Sequence, residues 1–252
     1  MFRNLSILFA QAILFANFSG SGPYEVTTVS NSLTVDTGQN LNYIIFMPEE
    51  PQSPVHVLLV HAFSRDMSVL ADLAQHYASW GISVVTMDLI HSSIFENDPL
   101  QDVMDLGALS AYLSGGQPII YVGHSSGAMR AIASAVSDSN AIAILGLDLT
   151  DGAYEQTGGE FLALSNTPSL SIPLWGLLGE PSDCNAYGNG LDVYFESNHG
   201  NAISITEADH CDFESPTDFL CTFLCQGSNN LYSEDEINDV ILSLSTSYLL
   251  HH

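Results

Sequence analysis

The segment IIYVGHSSGAMRAIASAV, residues 119–136, carries the clearest structural pattern in this 252-residue chain. Its first four residues are large and apolar, as in a strand that is buried on both faces. Residues 128–136 are rich in alanine and predict a helix. Between them, GHSSG at 123–127 leaves room only for a very tight turn. We therefore predict a strand, a sharp turn and a helix in direct succession.

The same alternation extends on both sides of this segment, from about residue 40 onward. We predict strands at residues 43–47, 55–60, 82–87, 119–122, 142–147, 172–178 and 202–205. Helices are predicted at residues 67–80, 103–113, 128–136 and 233–249, the last opened by the capping-box pattern SEDE. This order predicts an α/β fold with a doubly wound, mostly parallel sheet and crossover helices. Ligands in such sheets lie beyond the carboxyl ends of the strands.

The chain is strongly acidic, with a formal net charge of −26. It has no lysine, and its only arginines are Arg3, Arg65 and Arg130. Such a charge excludes nucleic acid as a reasonable partner, because binding to the phosphate backbone requires basic side chains. It also disfavours anionic membrane surfaces and anionic substrates. We read the excess acid as a solubility feature.

The N-terminus has the pattern of a signal peptide over residues 1–22. Arg3 precedes an apolar run at residues 5–18, and small residues follow at 19–22. The run is shorter than the ~20 residues that a membrane-spanning helix needs, and Gln11 and Asn17 interrupt it. We therefore predict a secreted protein without a stable membrane anchor, in which residues 23–252 form a single domain.

Four cysteines lie in the last third of the chain, at Cys184, Cys211, Cys221 and Cys225. An even number of cysteines in an exported chain favours disulfides over metal ligands. CTFLC at 221–225 also lacks the two-residue spacing that is usual in zinc sites. Three pairings are possible, and we favour Cys184 with Cys211 and Cys221 with Cys225.

The turn GHSSG has the features of a nucleophile elbow. Glycines at 123 and 127 fit a turn so tight that a side chain there would collide with neighbouring backbone. Ser125 would then expose its Oγ as a nucleophile, and the backbone N–H of Ser126 would stabilise an oxyanion. The alternative is an ordinary Gly/Ser turn, since the five-letter pattern alone is weak.

A second oxyanion donor is expected in the loop that follows the strand ending at His61. We predict the N–H of Phe63 for this role and a structural role for His61. The general base is expected late in the chain, because this kind of site follows the order serine, acid, histidine. His210 has that position. Other candidates, at His76, His91, His124 and His199, do not follow a late strand in the same way.

Two aspartates are candidates for the acid that orients His210. Asp148 follows the predicted strand at 142–147, and Asp183 follows the strand at 172–178, where the acid is more usual. Either carboxylate would hold the imidazole in the tautomer that a general base needs. The residues themselves leave this choice open.

Four motifs together resemble the chlorophyllase branch of the α/β-hydrolases: HAFSRD at 61–66, GHSSGA at 123–128, GLDLTDG at 146–152 and DHCDF at 209–213. Platelet-activating-factor acetylhydrolases and cutinase-like polyester hydrolases are relatives with a similar layout. The resemblance covers roughly residues 40–250. In chlorophyllases and acetylhydrolases the acid lies in the segment like GLDLTDG, which implies Asp148, with Asp151 as a turn residue. In polyester hydrolases the acid lies one strand later, which would imply Asp183 and a disulfide similar to Cys184–Cys211.

The resemblance implies a secreted serine hydrolase that cleaves carboxylic esters through an acyl-enzyme, with Ser125, Asp148 and His210 as its triad. Neither a cofactor nor a metal is implied. Only about twenty residues separate Asp151 from the next strand, so we expect little or no cap and an open cleft. Side chains predicted to contact a small or polymeric ester with apolar groups are Phe63, Ile90 and His124, while Phe95 is either a cleft or a core residue. The alternatives are a non-catalytic binding protein of this fold, and an acyltransferase or thioesterase with the same triad.

Overall fold

The computed structural model describes residues 18–52, 54–152 and 161–252, and an eight-stranded sheet forms its centre. The strands are β1 (Val26–Thr34), β2 (Asn40–Pro48), β3 (His56–Val60), β4 (Ser83–Met87), β5 (Ile119–His124), β6 (Ala141–Leu147), β7 (Leu174–Leu178) and β8 (Gly200–Ser204). Their spatial order is β1-β2-β4-β3-β5-β6-β7-β8. β2 pairs antiparallel with β1 and β4, and all other neighbours are parallel. The predicted sheet is therefore confirmed.

Helices cover both faces of this sheet. They are α1 (Ala71–Ser79), α2 (Pro99–Ser114), α3 (Ser126–Ala135), α4 (Leu162–Asn166), α5 (Leu191–Glu196), α6 (Phe219–Leu224) and α7 (Glu234–His251). Short 3-10 helices lie at Met67–Leu70, Thr167–Ser169 and His210–Phe213. Between β6 and β7 the described residues contain α4 and one 3-10 turn. The expectation of little or no cap also concerns residues 153–160, which lie outside the described residues.

Two hydrophobic layers hold the helices on the sheet. Ile119 and Tyr121 of β5 belong to the layer under α2 and α3, and Ile120 and Val122 belong to the layer under α1 and α7. Successive side chains of a strand point to opposite faces, so a strand covered on both faces must be apolar throughout. This is why the central strands could be recognised from sequence.

Capping residues define the helix ends that the sequence suggested. The Ser233 hydroxyl accepts the N–H of Glu236 at the start of α7, and the Glu236 carboxylate accepts the N–H of Ser233. This capping box was predicted from SEDE, and it is confirmed. α2 begins earlier than predicted, because the Asp98 carboxylate accepts the N–H of Gln101 and Pro99 occupies the first turn.

Strand β1 was not predicted. Its sequence, VTTVSNSLT, is mostly polar, and most of its side chains are exposed. β1 pairs with β2 alone, at the edge of the sheet, so only its register with β2 defines it as a strand. The short helices α5 and α6 were missed as well, because six residues are too few to show a helical period.

The disulfide pairing that we favoured is wrong. The structure joins Cys184 to Cys225 and Cys211 to Cys221. Cys221 lies within α6 and Cys225 caps its C-terminal end, so the two side chains are one helical turn apart on the same face. Cys225 bonds to Cys184 in the loop between β7 and α5, and Cys221 bonds to Cys211 in the 3-10 helix at His210–Phe213.

The signal-peptide prediction concerns mainly residues 1–17, which lie outside the described residues. Within the described part of the chain, no helix is long and apolar enough to cross a membrane.

Candidate active site

Ser125 occupies the sharp turn between β5 and α3. Its backbone has a positive φ, with φ 55° and ψ −125°, which is costly for a residue with a side chain. A Cβ on Gly123 would lie 2.5 Å from the backbone N of Ala128, and a Cβ on Gly127 would lie 2.3 Å from the carbonyl oxygen of His61. Both glycines are therefore required, and the turn has the geometry that the sequence predicts.

Asp148 and His210 form a close pair beside this turn. The Ser125 N–H donates to the Leu147 carbonyl at 2.9 Å, which places the ends of β5 and β6 side by side. Asp148 is the next residue after β6, and its Oδ2 lies 2.5 Å from Nδ1 of His210. A proton on Nδ1 leaves Nε2 of a neutral imidazole as the basic nitrogen. This is the tautomer that a general base requires.

The alternative acid, Asp183, lies elsewhere. Its side chain is exposed, and its carboxylate accepts the hydroxyl of Tyr187. The structure thus pairs His210 with Asp148, one strand earlier than Asp183. Asp151 also differs from its predicted role as a simple turn residue. It is buried, and its carboxylate accepts the N–H groups of Ala163 and Leu164 at the start of α4.

The Asp148 carboxylate is almost completely buried, yet it is well supplied with donors. Gly179 donates its N–H to Oδ1 at 2.9 Å, and the amide of Asn185 lies 3.1 Å from Oδ2 and 3.3 Å from Oδ1. Burial by itself favours the protonated acid. The bond and charge of His210, with the Gly179 and Asn185 donors, outweigh it and lower the pKa of Asp148 below its usual value. An ionised carboxylate therefore faces His210.

The Ser125 hydroxyl makes a different contact in this structure. Oγ donates to Oγ1 of Thr150 at 3.4 Å, and Thr150 in turn donates to the carbonyl oxygen of Cys184 at 3.4 Å. No hydrogen bond joins Ser125 to His210 among the residues described. Catalytic hydrogen bonds are often long without substrate and tighten when it binds. A transfer of the Ser125 proton to His210 would therefore require the hydroxyl to leave Thr150.

Two backbone N–H groups are available for an oxyanion. Ser126 is the first residue of α3, so its N–H has no acceptor within the helix. The N–H of Phe63 has no hydrogen-bond acceptor in the described part of the chain. Gly127 packs directly on the carbonyl oxygens of Val60 and His61, which sets the loop containing Phe63 against the start of α3.

His61 holds this loop in place. Its Nε2 accepts the N–H of Leu89 at 2.9 Å, so Nδ1 carries the proton and donates to the Ala62 carbonyl at 2.8 Å. Burial lowers the pKa of His61, which keeps the ring neutral. Both ring nitrogens are satisfied by backbone groups, which agrees with the structural role that we predicted.

His124 does not line the cleft, in contrast to our prediction. Alternation along β5 directs it to the same buried face as Val122, where its ring packs against Phe213. Its Nε2 lies 3.0 Å from the carbonyl oxygen of His210, and the two rings are 4.6 Å apart between centroids. His124 is therefore a buried support beneath His210 and is not exposed to a substrate.

A second ion pair, which had no signal in the sequence, also supports this region. Arg65 donates from Nε and Nη2 to the two carboxylate oxygens of Glu214, at 2.9 and 2.5 Å, and from Nη1 to Asp218 at 2.7 Å. Oε1 of Glu214 also lies 3.4 Å from Nδ1 of His124. Arg65 and Glu214 are 149 residues apart in sequence, so no local pattern could have linked them.

Arg130 of α3 also forms a buried ion pair that joins neighbouring segments. It is completely buried, and its Nε donates to Asp102 of α2 at 2.8 Å. The same carboxylate accepts the N–H of His91 at 2.9 Å, which fixes the loop after β4. In that loop Ile90 is half-buried, and Phe95 is 93% exposed and is therefore not a core residue.

Among the described residues, the one group of possible metal ligands that lies close enough together consists of Cys211, Cys221 and Cys225, and all three are in disulfides. A sulfur in a disulfide is not a thiolate, so this group does not offer a metal site.

Comparison with known proteins identifies the architecture. No protein-family model matches the chain, and no curated protein is significantly similar to it. Among solved structures, it is similar to a dienelactone hydrolase from Anabaena variabilis (TM-score 0.66, 15% identity, covering 91% of this chain and 99% of that one). It is also similar to the esterase domain of a Rhodothermus marinus protein (TM-score 0.64, 16% identity, covering 90% of this chain and 98% of that one). A third similar structure is a cold-adapted esterase from an Arctic intertidal metagenomic library. Its TM-score is 0.57 at 20% identity, and the match covers 71% of this chain and 84% of that one. At these identities the likeness concerns architecture, and the chain has the α/β-hydrolase fold.

Proposed function

We propose that this protein is a secreted serine hydrolase of carboxylic esters, with Ser125 as nucleophile, His210 as general base and Asp148 as the acid of a triad. The observation that carries this proposal is the 2.5 Å bond between Nδ1 of His210 and Oδ2 of Asp148, next to a serine in a strained turn. Strain of this kind persists where the surrounding structure enforces it, and it is concentrated at functional sites.

The reaction that follows from this arrangement has two halves. His210 takes the hydroxyl proton of Ser125 through Nε2, and Oγ attacks the ester carbonyl carbon. The N–H groups of Phe63 and Ser126 stabilise the oxyanion. Collapse of this intermediate breaks the ester bond, His210 gives its proton to the leaving alcohol, and Ser125 remains acylated. Water, deprotonated by His210, then attacks the acyl-enzyme and releases the acid.

Asp148 supports both halves without taking a proton. Its carboxylate holds the Nδ1 proton of His210, so that Nε2 faces the reaction, and it stabilises the imidazolium that forms after each transfer. The donors from Gly179 and Asn185 favour the ionised form of Asp148 that this task requires.

The substrates that we propose are esters with apolar groups, as in chlorophyllase-like or cutinase-like hydrolases. Large apolar side chains are exposed in the loop after β4, at Phe95, and on α6, at Phe219 and Phe223, which are 82% and 68% exposed. Disulfides tie α6 to Cys211, adjacent to His210, and to Cys184, whose carbonyl accepts Thr150. The net charge of −26 disfavours anionic esters.

Export and a single mature domain at residues 23–252 belong to the same proposal. Two disulfides are consistent with an oxidising compartment, because cytosolic proteins rarely keep them. The described strands all belong to one sheet, which supports one folding unit.

The proposal is tested by hydrolysis of p-nitrophenyl esters of increasing acyl length, with wild-type protein, Ser125→Ala and Ser134→Ala. Ser134 lies on the same helix, α3, and its Oγ donates to the carbonyl of Val103, away from the turn. We expect Ser125→Ala to abolish turnover and Ser134→Ala to retain it. An organophosphonate should label wild type at Ser125, as read by mass spectrometry.

Three results would contradict the proposal. Turnover that survives in Ser125→Ala would exclude Ser125 as the nucleophile. Folded wild-type protein that neither hydrolyses any ester of the series nor reacts with the phosphonate would instead favour a binding protein. Rapid transfer of the acyl group to an added alcohol or thiol, with slow hydrolysis, would identify an acyltransferase.

A further inference from the structure

The side chain of Asn185 is placed unusually well to act on the proposed triad. It is completely buried and lies in the loop between β7 and α5, far from Asp148 in sequence. Its amide nitrogen, Nδ2, contacts both carboxylate oxygens of Asp148, at 3.1 Å from Oδ2 and 3.3 Å from Oδ1. The same nitrogen donates to the carbonyl oxygen of Glu180 at 2.9 Å.

The orientation of this amide is determined by its partners. Its Oδ1 accepts the N–H of Ser182 at 2.8 Å and the N–H of Gly188 at 3.0 Å. Backbone N–H groups only donate and carbonyl oxygens only accept, so a flipped amide would lose all of these bonds. The side chain therefore presents a donor to Asp148, with both amide protons and both oxygen lone pairs engaged.

We propose that Asn185 is a positioning residue of the triad, which holds the Asp148 carboxylate in line with His210 and keeps it ionised. This inference rests on the proposed function and adds to it a residue that acts through Asp148 without touching substrate. Asn185 is the only side-chain donor to Asp148 besides His210 among the described residues, since the remaining donor is the Gly179 N–H.

The covalent neighbourhood supports a positioning role. Cys184, next to Asn185, is bonded to Cys225 at the end of α6, and Cys211, next to His210, is bonded to Cys221 of the same helix. The loop that carries the amide and the 3-10 helix that carries the base are thus joined through α6. Asp148, between them, receives a hydrogen bond from each.

Asn185→Asp is the sharpest variant. The new side chain keeps an oxygen for the N–H groups of Ser182 and Gly188, but it replaces the donor with a second carboxylate oxygen about 3 Å from Asp148. Two carboxyl groups this close share a proton, which deprives His210 of a fully ionised partner. The other ionisable groups that act on Asp148 are His124, Tyr194 and Asp212, and this substitution leaves them unchanged.

Asn189→Asp is the matched control. Asn189 lies on the same loop and bridges the backbone N–H and carbonyl of Asp151, with no bond to Asp148. The chemical change is identical, so any effect of added charge or of a loosened loop is common to both variants. Only Asn185→Asp alters the hydrogen bonds of the Asp148 carboxylate.

For hydrolysis of a soluble ester we expect Asn185→Asp to lower kcat roughly 10- to 100-fold, below the loss for replacing the acid itself, with KM within about threefold. The acid limb of the kcat/KM profile should move down by about one pH unit, because a carboxylate that is no longer fully ionised stabilises the protonated base less. Asn189→Asp should leave this limb in place. If Asn185→Asp does not fold, Asn185→Ser tests the same donor and should move the limb in the same direction.

A second measurement does not depend on activity. The proton on Nδ1 of His210 should give a far-downfield NMR resonance, assigned by its loss in Asp148→Asn. We expect it to move in the Asn185 variants and not in Asn189→Asp. An unchanged resonance and an unchanged pH profile in the Asn185 variants would overturn the positioning role, even in an active esterase. If wild type hydrolyses no ester but the resonance still responds to Asn185, the proposed function fails while the role of Asn185 stands.

Discussion

Replacement of Asp148 by asparagine is the most decisive single change in this site. In wild type, Oδ1 accepts the Gly179 N–H at 2.9 Å and Oδ2 accepts His210 at 2.5 Å. The Gly179 donor belongs to the backbone and stays the same. In Asp148→Asn the amide oxygen must therefore face Gly179, and the amide NH2 must face Nδ1 of His210.

That arrangement reverses the tautomer of His210. An NH2 group that faces Nδ1 requires a lone pair there, which moves the ring proton to Nε2 and removes the basic nitrogen from the reaction side. Loss of the correct tautomer in a serine triad lowers kcat about 10³- to 10⁴-fold. At about 1.4 kcal/mol for each factor of ten, this corresponds to roughly 4–5.5 kcal/mol of transition-state stabilisation.

Initial rates on a p-nitrophenyl ester measure this loss. The rates are normalised to phosphonate-titrated sites in wild type and to the amount of folded protein in the variant. The matched control is Asp183→Asn, which changes an exposed carboxylate that contacts Tyr187, and it should stay within about twofold of wild type. The reasoning is refuted if Asp148→Asn keeps more than a tenth of wild-type kcat. A severe loss in Asp183→Asn instead would assign the acid to the strand after β6.

Two further predictions concern the frame of the site. Peptide mapping without reduction should recover Cys184 with Cys225 and Cys211 with Cys221, and recovery of a Cys184–Cys211 peptide would contradict the structure. The double variant Cys184→Ser, Cys225→Ser should lower the free energy of unfolding by roughly 2–4 kcal/mol in denaturant titrations. Burial, with the charges of Asp209, Glu234 and Asp148, raises the pKa of Asp212 to about 6, so its contribution to stability is present at low pH and is lost as pH rises through about 6. Asp212→Asn should therefore raise the thermal midpoint relative to wild type at pH 8 and much less at pH 4.5, and an equal shift at both pH values would exclude this titration as the cause.

The fold could be predicted from the sequence because its strongest elements are local. β5 is apolar at successive positions, and Gly123 and Gly127 are needed wherever a strand turns into a helix within so few residues. Central strands and the capping box of α7 follow from the same kind of short-range pattern. β1 could not be found in this way, because it is an exposed edge strand and its definition lies in its pairing with β2.

The candidate site could likewise be predicted from sequence only in part. Sequence reasoning placed Ser125 in its turn, and family resemblance favoured Asp148 as the partner of His210, which is the pair that the structure brings together. The catalytic role of Ser125, Asp148 and His210 stays a prediction that the variants test. The buried position of His124 follows from a local rule, because strand alternation places it on the same face as Val122 at the end of β5.

Other features were decided by the tertiary structure alone. The donor from Asn185 to Asp148 spans 37 residues, and the pair of Arg65 with Glu214 spans 149. The disulfide pairing depends on where α6 lies relative to the loop of Cys184 and the 3-10 helix of Cys211, and four cysteines in sequence are compatible with three pairings. Local sequence determines which conformation a segment prefers, because that preference depends on neighbours along the chain. Contacts between distant segments arise only when the sheet and its helices have packed, so their partners carry no local signature.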